Sequence, residues 1–116
     1  MIFFQLTFNL FKGDHPHGTD LAARNIQRGR DHGLPGYLEY YKLFFDHDEE
    51  YDSWHKRPSS ISKNHWEQIQ KLYKSPLDID LFLGGLAETP VENGLVGPVF
   101  AALKVSFYFI LISYMI

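Results

Sequence analysis

Apolar side chains recur along this chain at helical spacing, and no stretch alternates apolar and polar residues at the two-residue period of a strand. Met1 to Phe11 is largely apolar and reads as a start within a helix. Thr19 or Asp20 then supplies an N-cap for a helix through Leu21, Ala22, Asn25 and Ile26 that should stop near Gly29. Tyr37, Leu38, Tyr41, Phe44 and Phe45 predict a short helix with a bulky aromatic face. Ser59 to Ser62 can cap another, with Trp66, Ile69, Leu72 and Tyr73 on its apolar side, until Ser75-Pro76 breaks it. Asp78 is placed to cap a brief helix, Ile79 to Leu83, closed by Gly84-Gly85. Gly97-Pro98 opens a last helix, because proline suits the first helical turn. The predicted fold class is all-α with long connections.

Those connections change the picture. Arg28 to Gly36 packs three glycines and a proline among charged side chains, which predicts an ordered loop held by a buried ion-pair network of Arg30, Asp31 and His32. Asp46 to Pro58 is a mixed-charge stretch that reads as a solvated loop. Long irregular segments of this kind generally need a larger body to lie on. The 116 residues are 45% hydrophobic and 16% aromatic, enough for one small core and too apolar for a disordered tail. Eleven Lys and Arg against 14 Asp and Glu leave a net charge of −3, with the basic residues scattered, so there is no electrostatic footprint for nucleic acid. The absence of cysteine excludes disulfides, thiolate nucleophiles and Cys-ligated zinc or iron–sulfur clusters.

Most of the candidate chemistry is weak. His15-Pro16-His17 beside Asp14 brings two imidazoles near a carboxylate, yet no further ligand follows at a recognisable spacing, and the segment reads as a polar turn. Asp78-Ile79-Asp80 lacks the remaining ligands of a calcium loop. From Gly94 to Ile116 the only charge is Lys104, and the twelve residues from Val105 carry none. This length and polarity suit a membrane segment, whereas the Gly-Pro pair and the lysine oppose it. A small membrane-anchored or helix-packing interaction protein, with Val105 to Ile116 as its membrane contact, is therefore the alternative class.

One segment is specific: Asp20-Leu21-Ala22-Ala23-Arg24-Asn25-Ile26-Gln27-Arg28-Gly29-Arg30-Asp31-His32-Gly33-Leu34-Pro35-Gly36-Tyr37. It closely resembles the signature of the animal haem peroxidases. Asp78 to Glu88 and Gly94 to Ala101 resemble the family's next two blocks, in the right order. The resemblance implies a mainly helical peroxidase fold, haem as cofactor, and hydrogen peroxide and a reducing substrate as partners. It implies that Asn25 accepts a hydrogen bond from the histidine that ligates the iron, that Arg28 pairs with a haem propionate, and that Leu21 is an apolar wall of the proximal pocket.

The resemblance covers residues 10–103, leaving 1–9 as a divergent start and 104–116 as a divergent apolar tail. Val105-Ser106 is also compatible with a splice-donor codon pair, so the tail reads equally as translated intron. The family's distal histidine and arginine, its proximal histidine and its calcium loop all lie upstream of the motif. The resemblance therefore implies a C-terminal fragment of a catalytic domain that holds no catalytic or metal-ligating residue of its own and is inactive alone. Family members enter the secretory pathway, which implies an extracellular parent, although Met1 to Phe11 has no basic n-region or cleavage site of a signal peptide.

Overall fold

The computed structural model describes residues 8–47 and 50–115. Among them are five α-helices and one 3₁₀ turn, and no strand beyond two isolated bridges. The helices are α1 (Leu21–Asp31), α2 (Tyr37–Phe45), α3 (Lys63–Gln70), α4 (Leu81–Ala87) and α5 (Pro98–Met115), with the 3₁₀ turn at Pro76–Asp78. The chain divides into two compact units after Leu34. The fold is all-α, as the apolar spacing predicts.

The first unit is a turn followed by α1. Leu10 and Thr19 pair as an antiparallel bridge across residues 12–18, with the Thr19 N–H donating to the Leu10 carbonyl at 2.8 Å. Phe11 lies in the left-handed region at φ 54°, so the expected N-terminal helix does not continue through it; residues 1–7 of that expectation lie outside the described residues. Asp20 is the N-cap of α1, its carboxylate accepting from the Ala23 N–H at 3.2 Å.

At its other end α1 runs past Gly29, where it was expected to stop, to Asp31. Gly33, at φ 63°, ends it: the Gly33 N–H reaches the Arg30 carbonyl and the Leu34 N–H reaches the Gly29 carbonyl. That pairing is a Schellman closure, which needs a residue at ease in the left-handed region. Arg30, Asp31 and His32 are all exposed, so the predicted buried ion-pair network does not hold this turn; backbone hydrogen bonds do.

The second unit has a core of Tyr37, Leu38, Tyr41, Tyr51, Ile61, Trp66, Ile69, Ile79 and Val99. Helix α2 lies against α4, α5 and the 3₁₀ turn, and its first N–H donates to the Ile79 carbonyl at 2.8 Å. The charged loop after α2 is not wholly solvated, because Tyr51 turns inward and meets Tyr41 edge-on, ring centroids 5.7 Å apart. Trp66 of α3 packs on Trp54 at 5.2 Å and donates its indole N–H to the Trp54 carbonyl. Ser62 caps α3 through the His65 N–H at 3.2 Å.

Two expectations about α4 fail. Its N-cap is Asp80 rather than Asp78, and Gly84-Gly85 lie inside the helix instead of closing it. Both glycines are buried: a Cβ at Gly84 would run into the Tyr37 side chain, and one at Gly85 into the Phe100 ring. Their missing side chains let α2 and α5 approach α4 closely, a tertiary gain that offsets the poor helix propensity of glycine.

Helix α5 begins at Pro98 as expected. Its first turns are anchored by Val99, which is fully buried, and by Leu103. From Val105 to Tyr114 its large apolar side chains are exposed. No helix among the described residues is long and apolar enough to cross a membrane.

Candidate functional site

The three residues singled out from the sequence all fall on α1. Leu21 and Asn25 are one helical turn apart and Arg28 follows at i+3, so the three share one stripe of the helix. Leu21 and Asn25 are half-buried and Arg28 is exposed. The Asn25 side chain makes no hydrogen bond, and the Arg28 guanidinium makes neither hydrogen bond nor ion pair, with any of the described residues. A carboxamide and a guanidinium in that condition have their full donor and acceptor capacity available to a ligand.

Beside this stripe runs an open groove of about 670 Å³. Its wall is Ala23, Arg24, Gln27, Arg28 and Asp31 of α1, with Thr19 and Asp20 ahead of the helix. Arg28 thus belongs both to the groove and to the Leu21–Asn25 stripe, while Arg24, one turn before it, belongs to the groove. Arg24 is held from two sides, its Nη1 at 3.4 Å from the Thr19 hydroxyl and its guanidinium 5.9 Å from the centre of the Phe11 ring. The Gln27 amide donates to Asp31 at 3.0 Å, which fixes the far end of the wall. Arg24 escapes a reading of the sequence focused on the motif, although its i,i+4 spacing to Arg28 is the signal that would have found it.

The second unit contains a different polar cluster, also unforeseen. Glu88, just after α4, is buried, and its carboxylate accepts three hydrogen bonds. They come from the Tyr37 hydroxyl at 2.8 Å, the Ser60 hydroxyl at 2.9 Å and the backbone N–H of Val99 at 2.9 Å. Burial and the neighbouring Glu88 charge push the Tyr37 hydroxyl far above the usual tyrosine range, despite the Ser60 contact. Every polar atom of the cluster is used internally, so it ties α2, α4 and α5 together and offers nothing to a ligand. In the sequence Glu88 opens a loop where a solvated carboxylate is the ordinary reading.

The remaining candidates are not brought together. His15 and His17 are exposed in the turn before α1. Among the described residues no three His, Asp or Glu side chains converge as metal ligands.

Comparison with known proteins agrees with the motif. The family model described as animal haem peroxidase matches residues 1–108. The chain is 46% identical over 92 residues to the chorion peroxidase of Drosophila melanogaster, an alignment covering 79% of this chain and 11% of that protein. It is 40% identical over 99 residues to the thyroid peroxidase of Homo sapiens, covering 85% of this chain and 10% of that one. Among solved structures, peroxidase A from Dictyostelium discoideum superposes with a TM-score of 0.71 at 33% identity, over 91% of this chain and 20% of that chain. The chain therefore spans only about a tenth of the length of these curated relatives, and within that span it belongs to the animal haem peroxidase family.

Proposed function

We propose that this chain forms part of the proximal side of a haem pocket, in a protein that oxidises a reducing substrate with hydrogen peroxide. The observation that carries the reading is the state of α1 in a chain of this family: the Asn25 amide has no hydrogen-bond partner and the Arg28 guanidinium is unpaired among the described residues, on one stripe of the helix.

These side chains fit the group. Asn25 would hold, through its amide oxygen, the N–H of the imidazole that ligates the iron; Arg28 would take a propionate with its planar fork, and Leu21 would keep water from the ring face. When bound, haem supplies a redox-active iron. Asn25 would fix the orientation and tautomer of the imidazole, and accepting a hydrogen bond from its N–H with a neutral oxygen would set how much electron density the ring gives up. Arg28 anchors the cofactor edge and neutralises a carboxylate there.

Reaction with peroxide also needs a base to move its proton and a cation to stabilise the charge that develops as the oxygen–oxygen bond breaks. In the family those residues, the proximal histidine and the calcium loop all lie upstream of this motif. We therefore read the chain as part of a peroxidase domain, with the motif resemblance lying in residues 10–103 and the family match extending over residues 1–108. We read the parent protein as secretory and residues 1–116 alone as inactive.

The test uses imidazole in solution in place of the missing histidine. Haem added to the purified chain should bind imidazole several-fold more tightly than 1-methylimidazole, which has no N–H to donate, and Asn25→Leu should erase the difference. The Soret band reports both affinities. Equal affinities in the unaltered chain, or a difference that survives Asn25→Leu, overturn the assignment of Asn25. Haem-dependent peroxidase turnover by the chain alone, abolished by Asn25→Ala, overturns the claim that it is inactive.

A further inference from the structure

Two like charges one helical turn apart repel, and a helix that presents them along the wall of a groove keeps them only at a cost. Arg24 and Arg28 are such a pair. Neither forms an ion pair among the described residues, and both line the groove on α1. Arg24 is exposed, with the Thr19 hydroxyl 3.4 Å from its Nη1 and the Phe11 ring centre 5.9 Å from its guanidinium carbon. An anion seated between the two forks would turn repulsion into two charge-assisted contacts.

The ends of the wall limit what that anion can be. Asp20 stands before Arg24 and Asp31 after Arg28, each with a carboxylate oxygen already engaged, by the Ala23 N–H and by the Gln27 amide. A long polyanion would run into one carboxylate or the other. A short ligand that confines its negative charge to one edge avoids both.

We propose that Arg24 joins Arg28 in a two-guanidinium clamp on α1 for a ligand carrying two carboxylates on one edge. This inference rests on the peroxidase reading for the identity of the ligand, since haem carries its two propionates in that way. Arg24 is then a second carboxylate-binding arginine beside Arg28, and the two forks together set which edge of the cofactor faces α1.

The clamp can be tested without haem, so that its failure is separable from failure of the peroxidase reading. Glutarate, a short dicarboxylate, is titrated into the labelled chain while the Nε–Hε resonances of Arg24 and Arg28 are followed, with acetate as the single-carboxylate control. Both resonances should move along one binding curve, and glutarate should bind about tenfold more tightly than acetate, the gain expected when a second contact is made within one ligand. Arg24→Gln should reduce glutarate to the affinity of acetate and leave the backbone amide spectrum of residues 35–115 unchanged. Movement of Arg28 alone, movement of neither, or equal affinity for the two anions overturns the clamp. In each of those cases the imidazole comparison still decides the role of Asn25.

Discussion

Glu88 shows how much one side chain can hold in a core this small. Its three donors come from α2, from the loop before α3 and from the start of α5, segments far apart in sequence. Glu88→Gln keeps the shape, but its N–H₂ group either meets the Val99 N–H donor to donor or makes the two hydroxyls accept instead, so that their own protons lose the carboxylate they were given to. We expect a loss of about 2 kcal/mol in urea unfolding, within the range for an unsatisfied buried group. Tyr37→Phe removes one donor and should cost about 1 kcal/mol. Tyr37 also carries a pH signature. Its folded-state pKa is raised above the unfolded value near 10, so its contribution is complete below about pH 10 and is lost as the pH rises beyond it. Over that alkaline range the unfolded chain releases a proton that the folded chain keeps, and stability should fall by about 1.4 kcal/mol per pH unit from this group. Unfolding midpoints measured between pH 8 and pH 11 should show a shallower decline in Tyr37→Phe; parallel declines would mean that the hydroxyl is not held as described.

At the scale of helices, two glycines of opposite character make a paired prediction. Gly29 lies within α1, where an added Cβ would sit 3.8 Å from Leu34 in ordinary contact. Gly29→Ala should therefore stabilise the first unit by about 0.5–1 kcal/mol, the normal helix-propensity gain. Gly84→Ala offers the same intrinsic gain, yet its Cβ would press on the Cβ and Cγ of Tyr37, atoms that cannot swing aside. Overpacking should win and cost about 1–3 kcal/mol net. Thermal unfolding of the two variants should move in opposite directions, and a stabilised Gly84→Ala would show that α2 and α4 are not in close approach. The contrast also explains what was legible beforehand. Local signals were read correctly where local physics decides: a cap within Ser59 to Ser62, Pro98 at a first turn, and the aromatic spacing of α2. Gly84-Gly85 looked like a helix stop because the reason for its small size is a tyrosine 47 positions earlier and a phenylalanine 15 positions later. Glu88 was passed over for the same cause. Of the proposed site, Leu21, Asn25 and Arg28 were singled out through a long motif, whereas Arg24 lies within that motif and enters the proposal only once the groove is seen.

For the molecule as a whole, the question is what the exposed end of α5 does to a chain that covers a tenth of its relatives' length. The family match stops at residue 108, and the side chains anchored in the core stop at Leu103. Beyond Lys104 the helix presents Phe107, Phe109, Ile110 and Ile112, each at least half exposed, so apolar surface continues for several turns without being covered by any of the described residues. Surface of that extent favours association, because burying it removes apolar area from water at roughly 25 cal/mol per Å². Deleting residues 105–116 should therefore abolish concentration-dependent association in sedimentation velocity. It should also leave the unfolding free energy within about 0.5 kcal/mol of the intact chain, since the removed side chains contribute little to the core. A deletion that instead lowers stability by several kcal/mol would place the tail in the fold. Association that persists after the deletion would move the sticky surface elsewhere, with exposed Leu86 and Leu95 near the α4–α5 connection as the next residues to change.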